Sequence, residues 1–406
     1  MAVDVSAGEE GDSSAAHWDS PTATAVALTG AVVSYFVWLG LPVILGSLVS
    51  GRNFTDQQIG WVGSAENLGV LLGAIYVSGK ARTGRFRRVA LIGIAVTVCA
   101  DVATLGTYSV AEFCVLRLIA GTGSGACYAA SIACLSLTRQ PTRAFSILMV
   151  VMTLTQVLEL WILPSIVDRW GVPGVYTFLA VSYMLPAAFF WLVPARIAAS
   201  LQAEDGMRAI PSVGKRWSAR LAWVCLVGIV LFNVAASAFW AYAERIGDVA
   251  RMTTITISNT FTICTFLGLA GSIAAYWMSK LWGQHRPQLA CLALMVVVYG
   301  FWSMHLTPNS YVGGVFLFFQ VWAIVAVFQL GTLSTIDHSG HYVALVPAAQ
   351  GIGQSVGPLL AGFLLARQLD FKEMLGVITF VVVGCLLAYT IVYLLLRNMS
   401  PALAEE

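Results

Sequence analysis

Charge is scarce in this sequence. Of 406 residues, 10% are Asp, Glu, Lys or Arg, while 58% are hydrophobic. A water-soluble domain carries about 25% charged residues. The scarcity excludes a soluble globular protein and leaves a polytopic membrane protein. Histidine is scarcer still, with five in the chain. No Cys-x-x-Cys or Cys/His spacing occurs. The eight cysteines (Cys99, Cys114, Cys127, Cys134, Cys225, Cys264, Cys291 and Cys385) all fall in apolar stretches. Neither a disulfide framework nor a metal site is expected, and these cysteines read as small packing residues. No nucleotide-binding, nucleophile-elbow or zinc-protease signature is present. GTGSG (121–125) and GIGQ (351–354) lie inside apolar runs and do not follow a strand, so they read as helix-packing elements. A membrane-embedded enzyme would need clustered His, Asp, Glu or Ser at one face, and no such cluster is seen. No cofactor is called for, and a net charge of +2 gives no footing for nucleic acid.

Apolar length is what the chain has in abundance. Residues 1–22 are polar and acidic, with the composition of a disordered tail. They lack the basic start and short apolar core of a cleavable signal peptide. Runs long enough to span a bilayer follow at 23–49, 58–79, 89–108, 111–137, 144–166 and 174–195. After a polar stretch, six more follow at 218–243, 254–278, 287–306, 311–335, 343–366 and 374–396. The predicted architecture is an all-α membrane protein of twelve transmembrane helices in two pseudo-symmetric bundles. The bundles cover 23–197 and 218–397, joined by a linker at 198–217 and followed by a tail at 398–406.

The basic residues set the orientation. With the N-terminus inside, the inner loops hold fifteen Lys and Arg and the outer loops six, with Arg117 inside a run. That bias predicts both termini and the linker in the cytoplasm, in a multi-pass protein of the inner (plasma) membrane.

The halves echo each other. SGKARTGRFRR (78–88) joins runs 2 and 3, and the short basic SKLWGQHRP (279–287) joins runs 8 and 9. Run 5 ends at Pro164 and run 11 carries Pro358. Six-helix duplication is the sequence sign of a carrier that rocks two bundles about a central site. Over nearly its whole length the chain resembles the major facilitator superfamily. That family's loop between helices 2 and 3 reads G-x-x-x-D-R-x-G-R-R. Arg82, Gly84 and Arg85 match it, whereas Val77, Ala81 and Phe86 depart from it. The missing Asp at Ala81 implies an altered inner gate. The family's helix 4 motif, R-x-x-x-G-x-G, is matched by Arg117, Gly121 and Gly123. Gly357-Pro358 and Gly362 are similar to an antiporter element, but they stand in run 11 and not in run 5. The resemblance implies alternating access, a small-molecule solute as partner, and a monomer in the bilayer.

The chemistry is expected to rest on buried polar residues. Arg117 in run 4 and Glu159 in run 5 sit where a spanning helix tolerates charge least, at a cost of at least about 2.5–3.5 kcal/mol each. Such residues are paired or used. Glu66 and Asp101 lie at similar depth in runs 2 and 3. One arginine against three carboxyls predicts that at least one carboxyl carries a proton, which makes Glu159, Arg117, Glu66 and Asp101 the expected proton-coupling set. The alternative is that Arg117 is a fixed strut between runs 4 and 5 and that Asp101 merely packs. For the solute cavity, helical spacing puts Tyr128 on the Arg117 face, and Gln156 beside Glu159. Run 7 offers Asn233, Trp240 and Glu244 on one face; run 10 offers Trp322 and Gln329; run 11 offers Gln350 and Gln354. An aromatic and amide lining suits an amphipathic or aromatic organic solute, and Arg117 adds the option of an anionic one. Trp240 has the alternative of an interfacial belt residue, and the amides that of helix glue worth about 0.6 kcal/mol. Asp337, His338 and His341 read as solvated gate residues, not metal ligands.

The expected function is therefore a proton-coupled symporter or antiporter. Run 5 lacks the Gly-Pro element of the usual drug/proton antiporters, and run 1 lacks the acid of aromatic-acid/proton symporters. A multidrug or metabolite efflux antiporter stays open, as does a non-transporting membrane sensor on the same fold.

Overall fold

The computed structural model of the chain describes residues 21–80, 85–136, 138, 141–193, 215–337 and 342–399. Most of the expected tails and linker lies outside them. Thirteen α-helices and no strand occur among the described residues. Run 1 is three pieces, α1 (Pro21–Val33), α2 (Phe36–Leu39) and α3 (Leu41–Arg52). Runs 2 to 4 are α4 (Asp56–Lys80), α5 (Phe86–Leu105) and α6 (Val110–Ser136). Runs 5 and 6 form one long element, α7 (Pro141–Phe189), bent at Gly171 with φ 59° and ψ −156°. That backbone region is essentially closed to any residue with a Cβ. The second half follows as α8 (Lys215–Val249), α9 (Thr254–Trp282), α10 (His285–Met304), α11 (Pro308–Ile336), α12 (Val346–Ala366) and α13 (Phe371–Met399).

Eight of these helices are long and apolar enough to cross a membrane, among the described residues. One of the eight, α7, carries two runs. The α4 helix carries Glu66 and Asn67 at mid-length, and α12 carries Gln350 and Gln354. Large apolar side chains cover the outside: Phe380 is 76% exposed and Val297 63%. Water would penalise such a surface, whereas hydrocarbon accepts it.

Within the first half, α6 packs on α4 and α5, and α5 on α7. Within the second, α11 packs on α9, and α13 on α10. These pairings repeat one another under the duplication inferred from the sequence. The halves meet along α4 with α12, α7 with α9, and α3 with α8. The first two contacts are equivalent under the same symmetry (run 2 on run 11, run 5 on run 8). The Ser258 hydroxyl of α9 donates to the Leu160 carbonyl of α7 across one of them. Both glycine-rich patterns do pack helices: a Cβ on Gly123 would meet the Gly93 carbonyl of α5, and one on Gly353 the Val230 carbonyl of α8.

Candidate solute and proton site

The site grows from the interruption of the first span. Pro42 has no N–H to return to the carbonyl four residues back, that of Trp38. The helix therefore stops at Gly40 and restarts as α3, with proline in its first turn. The Trp38 carbonyl is taken instead by the indole Nε1 of Trp240 in α8, at 2.9 Å. The next carbonyl, Leu39, lies 3.5 Å from Nε2 of Gln156 in α7. At the start of the break, the Tyr35 ring packs on Tyr128, tilted by 35° with ring centroids 5.0 Å apart, and its hydroxyl meets the side chain of Gln354 in α12. Unwound backbone here is held by both halves, and non-helical backbone at membrane depth is tolerated only where protein or a cavity satisfies it.

Glu159 lies against this break. A Cβ on Gly40 would stand 2.7 Å from its Oε1. The residue is 2% exposed, and neither carboxylate oxygen has a hydrogen-bond partner among the described residues. A buried charge without a partner is costly. Gln156 and Glu159 thus both meet the break.

Arg117 does not pair with Glu159; this corrects the expectation that the two adjacent segments answer each other. Its Nη1 lies 2.8 Å from Asp101 and 3.5 Å from Glu66, and its Nη2 donates to the Thr104 hydroxyl at 2.7 Å. The guanidinium also sits 4.5 Å from the Tyr176 ring centre. The strut therefore joins α4, α5, α6 and the second part of α7. Asp101 is an ion-pair partner rather than a packing residue. With both terminal nitrogens taken and 1% exposure, Arg117 no longer favours an anionic solute.

The remaining expected residues divide. Tyr128, Gln156, Gln350, Gln354, Trp322 and Glu244 are partly exposed. Trp240 is 4% exposed between the rings of Phe261 and Phe319. It belongs to the seam between halves and not to an open cavity wall. Asn233 is buried and donates to its own helix at the Ile229 carbonyl, 2.8 Å away. Gln329 is buried with Nε2 unpartnered. Of the expected gate loop, Arg82 and Gly84 lie outside the described residues, and Arg85 is an exposed residue at the start of α5. His338 and His341 also lie outside. Asp337 accepts from the backbone of Tyr342 and Val343 at 2.6 and 2.9 Å, which makes it a loop cap. Sequence reasoning missed Tyr35 and the Trp38 carbonyl. The signal was Gly40-Leu41-Pro42 within a run longer than a bilayer needs.

Duplicated helical bundles around an interrupted membrane helix define a polytopic membrane transporter. The sequence pattern of the Major Facilitator Superfamily matches residues 27–337, and the chain belongs to that superfamily. No curated protein matches the sequence. Among solved structures, the nucleoside transporter NupG aligns with a TM-score of 0.72 at 10% identity, over 91% of this chain and 98% of that one. A bacterial homologue of the human lysosomal transporter Spinster, inward-facing and unoccupied, aligns with a TM-score of 0.69 at 11% identity, over 97% and 98%. At such identities the likeness is one of fold.

Proposed function

We propose that this carrier couples proton movement to the passage of a small amphipathic or aromatic organic solute by alternating access, with Glu159 as the group that takes and releases the proton. The observation that carries the reading is the Glu159 carboxyl, buried and without a partner at the break in the first span. A carboxyl without a fixed counter-charge changes protonation when one side of the protein opens to water. The solute would lie against Tyr35, Tyr128, Gln156 and Gln354, which join aromatic faces to amide groups contributed by both halves. A nucleoside, the solute in the name of one structural neighbour, has this mixed chemistry and belongs first in any panel. Nothing about Arg117 now favours an anion. Orientation with both termini in the cytoplasm belongs to the same reading and rests on the basic-residue bias.

The test is proton movement in liposomes holding purified protein, on adding nucleosides, aromatic acids, sugars and cationic drugs. A solute-evoked pH change in the wild type that falls to background in Glu159→Gln supports the reading. Its sign relative to solute flux separates symport from antiport. Flux without a pH change, equal in the variant, would make Glu159 structural and the carrier a uniporter or exchanger.

A further inference from the structure

A second carboxyl repeats the Glu159 arrangement one step further along the first span. Glu244 in α8 presses on Gly46 of α3: a Cβ there would stand 2.6 Å from its Oε2. That oxygen is buried with no hydrogen-bond partner among the described residues. Gly46 is six residues beyond Gly40, about 9 Å along a helix. Unlike Glu159, Glu244 lines a cavity of about 290 Å³ between α3, α7, α8 and the start of α9. A water occupies about 30 Å³ in the liquid, so the cavity has room for several.

The charged and polar neighbours come from every packed element. The α3 helix contributes the hydroxyls of Ser47 and Ser50, α7 contributes Asp168, α8 contributes Arg245 and Asp248, and α9 contributes Thr254. From α11, Tyr311 donates to the carbonyl of Ala243, the residue before Glu244, at 2.6 Å. Arg245 is engaged by Asp56 at 3.1 Å and by Asp248 at 3.2 Å. Three carboxyls thus face one arginine that is already shared, and the cavity holds a surplus of negative charge. Pro164, five residues after Glu159 on α7, forms part of the same wall. The cavity therefore reaches from the Arg245–Asp248 end toward the helix that carries Glu159.

We infer that Glu244 is a second proton-binding site, the station at which protons from water at the Asp56 end enter on their way to Glu159. The inference rests on the proposed coupling at Glu159. The step is a proton transfer: a hydronium in the cavity gives its proton to the Glu244 carboxylate and is left as water, and Glu244 becomes ionised again when the proton moves on through intervening water to the Glu159 carboxylate. No electrons move.

The experiment is infrared difference spectroscopy of the full-length protein in lipid across a pH titration, paired with the liposome assay, on wild type, Glu244→Gln, Glu244→Asp and Glu159→Gln. The expected result is two protonated-carboxyl bands. One is lost in Glu244→Gln and shifted in Glu244→Asp, and the other is lost in Glu159→Gln. In liposomes Glu244→Gln should slow solute-evoked proton movement about tenfold while keeping the protons moved per solute unchanged, with Glu244→Asp in between. A wild-type spectrum in which no band answers to Glu244→Gln and Glu244→Asp, or unchanged proton rates in both variants, would overturn the inference. A Glu244 band that persists while Glu159→Gln leaves coupling intact would instead remove the proposed role of Glu159, so the two failures are distinguishable.

Discussion

Arg117 is held by two carboxyls, a hydroxyl and an aromatic face, contributed by three other helices. Removing one member of a buried ion pair strands the rest, typically at about 3–5 kcal/mol. Arg117→Met should destabilise the detergent-solubilised protein by that order and lower its melting temperature and yield. Asp101→Asn should cost less, and Glu66→Gln least, because Glu66 stands 3.5 Å from the guanidinium against 2.8 Å for Asp101. Thermal unfolding of the three variants checks the ranking. A Glu66→Gln variant that melts normally but transports poorly would give Glu66 a role beyond the strut. The membership of this cluster was only partly legible in the sequence, since helical depth puts Glu66, Asp101 and Arg117 at one level but puts Glu159 there too. The pairing was not legible. Depth is one coordinate, and the direction a side chain takes around its helix axis is fixed by tertiary packing. Glu159, the acid on the next run along the chain, points to the first span, while Asp101 on the preceding run meets the arginine.

At the scale of the element, the first span shows how a break is encoded. The apolar run at 23–49 is 27 residues long, where a bilayer needs about 20, and it contains Gly40-Leu41-Pro42. Excess length and a proline both pointed to an interruption, but hydropathy alone reads the stretch as one rod. Pro42→Ala restores an N–H that competes with Trp240 for the Trp38 carbonyl. An interior proline costs a helix about 3 kcal/mol, so the variant should be as stable as wild type or more so. Transport should fall about tenfold, because the break that receives Gln156, Glu159 and Trp240 straightens. Melting temperature and solute uptake, measured together, check this. Uptake at the wild-type rate would mean that Gly40 alone maintains the break. The polar residues at the break were mostly visible from their spacing, Gln156 and Gln354 among them. Trp240 was visible too, but its destination in the seam between halves depends on a carbonyl freed by a proline two hundred residues away.

At the scale of the whole molecule, the halves are clasped at the Asp56 end, the end that the basic-residue bias reads as outer. Arg245 of α8 pairs with Asp56 of α4, and the Tyr242 hydroxyl donates to the Asp56 carbonyl at 2.5 Å. Beneath these contacts α4 and α12 meet where Gly60 faces Pro358 and Gly362. The ion pair is more than a quarter exposed on each side, and such pairs contribute roughly 0–1 kcal/mol. The close backbone approach at Gly60 has no such discount. A Cβ there would lie 2.6 Å from the Tyr242 hydroxyl and 3.1 Å from the Gly362 Cα, and backbone cannot yield as a long side chain can. Gly60→Val should therefore leave each bundle folded while holding the Asp56 end apart. Asp56→Asn should shift the balance by less than the 1.4 kcal/mol or so that makes a tenfold change. Spin-label distances between the bundles at that end should lengthen in Gly60→Val and stay near wild type in Asp56→Asn, with solute exchange falling tenfold or more in the first alone. An Asp56→Asn variant that opens as far as Gly60→Val would put the clasp in the charges. The two equivalent contacts between halves, α4–α12 and α7–α9, are the ones that the proposed alternating access would open and close.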